Sequence, residues 1–133
     1  MNKGNLLLLH EHKPELKDIA DFLRQENYQI QNFVDSKGLV NCFEKWDIDL
    51  VILPLEMSIQ KTLDVCVKIK GNRISEDVFV VFVSRHKSED CILAAFEAGA
   101  DDFLYLPINK RLLANRIQAM LRRRRNYYSQ QAS

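Results

Sequence analysis

The chain predicts an α/β fold: five βα units forming a parallel sheet with helices on both faces. Two observations lead there. Short, continuous apolar runs suited to strands buried on both sides alternate five times with segments whose apolar residues recur at helical spacing. Each strand-like run is also separated from the next by a helix-length segment, the connection that parallel pairing requires.

Leu6 to Leu9 is the first strand, apolar at every position. Pro14 suits a first helical turn, and Leu16, Ile19, Ala20, Phe22 and Leu23 then follow a helical period up to Asn27. Tyr28 to Val34 reads as the second strand. Asp35 or Ser36 can cap the second helix, which carries Leu39, Val40, Cys42 and Phe43 and ends near Trp46. Ile48 to Leu53 forms the third strand, stopped by Pro54, and Thr62 to Lys70 the third helix. Val78 to Val83, rich in β-branched residues, is the fourth strand. Ser88 to Ala98 is a helix closed by Gly99, Phe103 to Leu106 the fifth strand, and Asn109 to about Arg125 the last helix. Residues 1–125 therefore make one domain, and 126–133 read as a flexible tail or the start of a linker.

At 133 residues the chain has room for one core and hardly for two. It is 47% hydrophobic and 28% charged, proportions of a folded protein rather than a disordered one. No apolar stretch approaches the roughly 20 residues that span a bilayer, and no secretory leader precedes the first strand, so the expected location is the cytoplasm, away from membranes. Cys42, Cys66 and Cys91 lie far apart within apolar patterns; an odd number without a Cys-x-x-Cys pair fits neither a disulfide framework nor a zinc site, and they read as small core residues. Net charge is +1, but residues 103–133 hold seven basic residues and no acidic one, leaving 12 basic and 18 acidic before them. That basic end complements the dipole of the last helix. Four consecutive arginines, Arg122 to Arg125, without a recognition helix or stacking aromatics give no argument for nucleic-acid contact by this unit alone.

In an open parallel sheet, ligands gather beyond the C-terminal ends of the strands. The residues there are His10, Glu11 and His12; Pro54 to Ser58; Ser84 to His86; and Leu106-Pro107. Two segments among them carry a family likeness: Leu50-Val51-Ile52-Leu53 ending in Pro54, and Glu97-Ala98-Gly99-Ala100-Asp101-Asp102-Phe103-Leu104-Tyr105-Leu106-Pro107. With the spacing around them, over about residues 5 to 125, the chain resembles the receiver domain of two-component response regulators. The resemblance implies a flavodoxin-like (CheY-like) doubly wound sheet with strand order 2-1-3-4-5 and a cis Leu106-Pro107 bond. It speaks for fold and is silent about activity.

In that family an acidic pair after the first strand and an aspartate after the third hold magnesium, and the aspartate accepts a phosphoryl group. The matching positions here are His10 and Glu11 for the pair and Pro54 for the acceptor. A proline ring offers no nucleophilic lone pair, and two of three hard oxygen ligands are missing. The lysine that neutralises the phosphoryl group falls at Leu106, which carries no charge. Only the hydroxyl position, Ser84, and the switch aromatic, Phe103, persist. The resemblance thus implies a degenerate pseudo-receiver without phosphorylation chemistry, enzymatic activity or cofactor.

The same positions suggest other chemistry by residue type. His10, Glu11 and His12 suit a transition metal by residue type, but a turn after the first strand should separate the two imidazoles, and no further ligand stands out except Glu56. Histidine could instead confer pH sensitivity. Ser58, Thr62 and Ser84 are conceivable substitute phosphosites, although hydroxyls are common in loops.

Receivers often dimerise through their last two helices and fifth strand. The charged positions matching that face are Asp101, Asp102, Arg116 and Arg123, and one ion pair of the family falls at Ile92 and Leu112, where it would become an apolar contact. The ordinary alternative is that these two pack within their own chain. Three functions follow: a phosphorylation-independent module in bacterial signal transduction, working by contact with a protein partner not identifiable from sequence or with its own copy; the N-terminal regulatory part of a longer transcription regulator or output enzyme; or a small flavodoxin-like cofactor-binding protein or enzyme. The last is weakened by having only Gly4, Gly38, Gly71 and Gly99, with no Gly-rich phosphate loop after a strand.

Overall fold

The computed structural model describes residues 1–55 and 59–132, with side chains for all of them except 59 and 127–132. Strands β1 (Asn5–Leu9), β2 (Gln29–Phe33), β3 (Leu50–Pro54), β4 (Phe79–Ser84) and β5 (Asp102–Tyr105) alternate with helices α1 (Pro14–Gln25), α2 (Ser36–Lys45), α3 (Ile59–Lys70), α4 (Glu89–Glu97) and α5 (Lys110–Ala132). All pairs are parallel and the order is β2-β1-β3-β4-β5. This is the doubly wound, flavodoxin-like arrangement, and its winding reverses between β1 and β3.

Alternation along the strands divides the core in two. Leu6, Leu8, Leu50, Ile52, Val81, Val83 and Leu104 pack under α1 and α5, against Leu16, Ile19, Leu23, Leu113, Ile117 and Met120. Leu7, Leu9, Val51, Leu53, Val80, Phe82 and Phe103 face α2, α3 and α4, with Leu39, Cys42, Leu63, Cys66, Ile69 and Ala95. Apolar residues at odd and even positions alike therefore mark a strand covered on both sides. Cys42 and Cys66 are buried as expected of core residues, whereas Cys91 is only half-buried.

The helix ends follow their cap residues. Pro14 opens α1, Asp35 accepts from the Gly38 amide at 2.7 Å to start α2, and Asn109 accepts from the Leu112 amide at 3.0 Å at the start of α5. Ser88 caps α4, and Gly99, at φ +109°, takes the chain out of it in a conformation that side chains disfavour. The last helix runs on to Ala132, not to about Arg125, because residues 122–132 contain neither proline nor glycine to stop it. Its Arg124 holds Asp49 at the entrance to β3, and Arg125 donates to the Lys3 carbonyl at 3.0 Å. Ser133 lies outside the described residues.

Pro54 belongs to β3 and does not merely follow it. It is paired in register with Val83 of β4, and Leu55 still donates to the Val83 carbonyl at 2.7 Å. Backbone groups alternate sides along a strand, so the nitrogen of Pro54 faces β1. The ladder between β1 and β3 ends at Leu8 and Ile52, at the point where the next donor from β3 towards β1 would be the N–H that Pro54 lacks.

Candidate functional site

The strand registers set the site. Pro54 stands beside Val83, Ser84 is in register with Tyr105, and Leu106 donates to the Ser84 carbonyl at 2.8 Å. Pro54, Ser84 and Leu106 thereby line one cleft of about 720 Å³ at the C-terminal end of the sheet, with Leu55, Val83, Pro14 and Leu16. The floor residues Pro54, Leu55, Val83 and Leu106 carry no charge. Ionic groups stay at the rim, where Arg85 from the β4–α4 loop pairs with Glu15 in the first turn of α1. The Leu106-Pro107 bond is cis, as the resemblance implied.

Ser84 is buried, and its hydroxyl oxygen accepts the His86 amide at 3.0 Å, a local turn that stabilises the start of the β4–α4 loop. Thr62 is buried as well, so neither hydroxyl is presented to a modifying enzyme. Ser58 and Glu56 lie outside the described residues. Phe103 is 9% exposed, packed into the second core with its ring 5.5 Å from that of Tyr105.

The residues after β1 do not join this cleft. His10 adopts φ +59° and lines a separate hollow, with Phe33, Asp35 and Lys61, on the α2–α3 side. Glu11 is drawn to α1, where Arg24 meets its carboxylate at 2.6 Å, and its amide donates to the Asn32 side chain at 2.6 Å. The expectation that a turn would part His10 and His12 is corrected: the positive φ at His10 folds the turn back, and the two rings meet edge to face at 5.5 Å. Among the described residues, no group of three His, Cys, Asp or Glu side chains is placed to hold a metal ion.

The face formed by α4, β5 and α5 has fewer free charges than sequence position implied. Asp102 and Arg116 pair within the chain at 3.0 Å, and Arg123 stacks its guanidinium 5.6 Å from the Phe79 ring centre. Asp101 accepts from the Lys70 ammonium at 2.7 Å and the Val80 amide at 2.8 Å. Ile92 is half-buried against the second core, whereas Leu112 remains 45% exposed. Sequence reading passed over Leu93 and Phe96, both exposed on α4. Their spacing of three on a helix whose inward face is already supplied by Ala95 was the available signal. The ion pairs Glu11–Arg24 and Glu15–Arg85 had no signal, since each joins residues that only the fold brings together.

Comparison with known proteins gives a consistent picture. The family model for the response regulator receiver domain matches residues 6–118. Among curated proteins, the regulatory protein VanR of Enterococcus faecium is 25% identical over 122 residues, 91% of this chain and 52% of that protein. The sensory transduction protein RegX3 of Mycobacterium bovis is 32% identical over 118 residues, 88% of this chain and 51% of that protein. The chain thus spans about half the length of these curated relatives. Among solved structures, a CheY-like response regulator receiver domain protein of Methanospirillum hungatei superposes with a TM-score of 0.79 at 17% identity, covering 93% of this chain and 98% of that one. A two-component response regulator of Clostridium difficile gives a TM-score of 0.78 at 22% identity, covering 91% and 98%. At these identities the structures speak for the fold alone. Among the described residues no helix is long and apolar enough to cross a membrane. The family match over residues 6–118 and the β2-β1-β3-β4-β5 sheet agree, and the chain belongs to the response regulator receiver domain family.

Proposed function

We propose that this receiver domain works without phosphorylation, as a pseudo-receiver acting by protein contact in bacterial two-component signalling. The observation that carries the reading is the buried Pro54, in register with Val83 and sharing its cleft with Leu106. The positions that the family fills with an acceptor carboxylate and a lysine are here apolar. His10 lines a different hollow and Glu11 is engaged by Arg24, so the remaining metal-ligand positions do not converge on the cleft. The burial of Phe103 supports a single packed conformer, because exposing such a ring costs about 1.5–3 kcal/mol and no trigger is evident.

The contact face on this reading is that of α4, β5 and α5, used for a homodimer or a protein partner. It carries Leu93, Phe96 and Leu112 as exposed apolar residues, with Ile92 half-buried on the same helix as the first two and Arg116 and Arg123 on α5. A second reading, in which the domain regulates a longer transcription regulator or output enzyme, is favoured by the relatives' being about twice as long as the matched region.

The test is an amide NMR titration with magnesium and beryllofluoride, a phosphoryl mimic. A flat response at Glu11, Ser84 and Phe103 is expected. Saturable shifts reaching Phe103 would overturn the reading.

A further inference from the structure

Two apolar surfaces of this chain face water and carry opposite charge. The first is a ridge on α4. Leu93 is 58% exposed, and the residues one helical turn away from it are the exposed Phe96 and the exposed acids Glu89, Asp90 and Glu97. No lysine or arginine lies on this helix. The second is a groove of about 480 Å³ between α2 and the end of α3. Its floor, Leu39 and Ile69, is buried, but its walls are wet: Val40 is 54% exposed, Ile74 is 75% exposed and Phe43 is half-buried.

The groove is basic once its committed charges are set aside. Among its lining residues and their neighbours in sequence, Asp35 caps α2 and Lys70 is held by Asp101. Lys37, Lys45, Lys68 and Arg73 are in no ion pair among the described residues, and they stand against Glu44 and Glu76. Lys68 reaches only the Ser36 hydroxyl, at 3.4 Å.

We propose that α4 of one copy docks in the α2–α3 groove of a second copy of this chain, with Leu93 and Phe96 entering between Val40, Phe43 and Ile74. Apolar side chains on both partners then leave water together, and an acidic surround meets a basic one. Two other seats for α4 fit less well. Against the α4 of a second copy, Glu89, Asp90 and Glu97 would face their own counterparts, a like-charge contact. On α5, among the described residues, Leu112 is the one large exposed apolar side chain, while Arg116 is already held by Asp102 and Arg123 lies over Phe79. Ridge and groove are different patches, so each copy offers one of each and two defective copies can complement one another.

The inference rests on the reading that the exposed residues of α4 make a protein contact, and it names what they meet. The test is sedimentation velocity over a range of concentrations on the 133-residue chain and on the variants Leu93→Lys and Ile74→Glu, both at exposed positions. The parent should associate, more weakly at high salt, and each variant alone should stay monomeric. An equimolar mixture of the two variants should associate again, because the intact α4 of the Ile74→Glu copy meets the intact groove of the Leu93→Lys copy. A misfolded variant could not complement in this way. A monomeric parent, an Ile74→Glu variant that associates like the parent, or a mixture that stays monomeric would each overturn the proposal. Loss of association in Leu93→Lys but not in Ile74→Glu leaves α4 as a contact face and removes only the groove. A beryllofluoride response removes the pseudo-receiver reading whatever the sedimentation shows.

Discussion

Lys70, in the last turn of α3, reaches the carboxylate of Asp101 at 2.7 Å and clasps the approach to β5. The same carboxylate oxygen accepts the Val80 amide at 2.8 Å, and the Lys70 ammonium also donates to the Val78 carbonyl at 2.9 Å. One acidic side chain therefore ties helix, loop and β4 together, although sequence position alone placed it on an intermolecular face.

Asp101→Ala should accordingly destabilise the folded chain by about 1.5–3 kcal/mol, since it removes charge-assisted hydrogen bonds and leaves the Val80 amide unpaired. Urea unfolding at low protein concentration measures this. A stability within about 0.5 kcal/mol of the parent would mean that the clasp contributes nothing.

On the pseudo-receiver reading, an aspartate at position 54 alone should not confer phosphorylation. Pro54→Asp is expected to take up no phosphoryl group from acetyl phosphate and magnesium, and to cost about 1–3 kcal/mol for a carboxylate placed against Val83 and Leu106. Adding His10→Asp and Leu106→Lys puts a carboxylate and a cation at the two family positions, although residue 10 lines the separate hollow beside Asp35 and Lys61. Intact-mass measurement of the single and triple variants decides the matter: modification of Pro54→Asp by itself would show that the surroundings are less altered than the geometry implies.

Burial raises the Cys66 thiol to about 11; Lys70 pulls it down and Asp101 pushes it up by smaller amounts. The folded chain holds this proton more tightly than the unfolded chain, whose thiol has the ordinary value near 9.0. Stability from this source is complete below about pH 9 and is lost as pH rises towards 11, at no more than about 1.4 kcal/mol per pH unit. Tyr28 and Cys42 are raised by burial too and act in the same direction. Urea midpoints measured from pH 8 to pH 10.5 should fall less steeply for Cys66→Val than for the parent; parallel curves would contradict the assignment.

If α4, β5 and α5 form the contact face, Leu112→Arg should abolish concentration-dependent association in sedimentation velocity while changing stability by no more than about 0.5 kcal/mol, because this side chain is 45% exposed. A parent that remains monomeric at every concentration, or a variant that associates equally well, would exclude self-association through Leu112.

The strands were legible because burial on both faces writes a continuous apolar run, as at Leu6–Leu9 and Val80–Val83, whereas their order came from the family resemblance. Cap chemistry at Asp35, Ser88 and Gly99 placed the helix ends nearly as well. The end of α5 was missed because nothing local stops a helix at Arg125, and a polar composition was read as a tail. The site was legible in part. Pro54, Ser84 and Leu106 meet because strand ends fix them, but the orientation of His10, Glu11 and Asp101 depends on a positive φ and on partners, Arg24 and Lys70, that lie 13 and 31 residues away. Periodicity carries no information about such pairs.

The early halt of one ladder has a consequence for how this family can change. Pairing between β1 and β3 ends at Leu8 and Ile52, while β3 and β4 stay zipped through Pro54 and Val83, and the chain leaves β1 towards one face of the sheet and β3 towards the other. The hollow above Pro54 lies where connectivity places it, at the point where the winding of the sheet reverses between β1 and β3. On the pseudo-receiver reading its contents are exchanged wholesale, carboxylates and lysine for proline and leucine, while the vessel persists. A lineage that gave up one ligand would still inherit a place to put another.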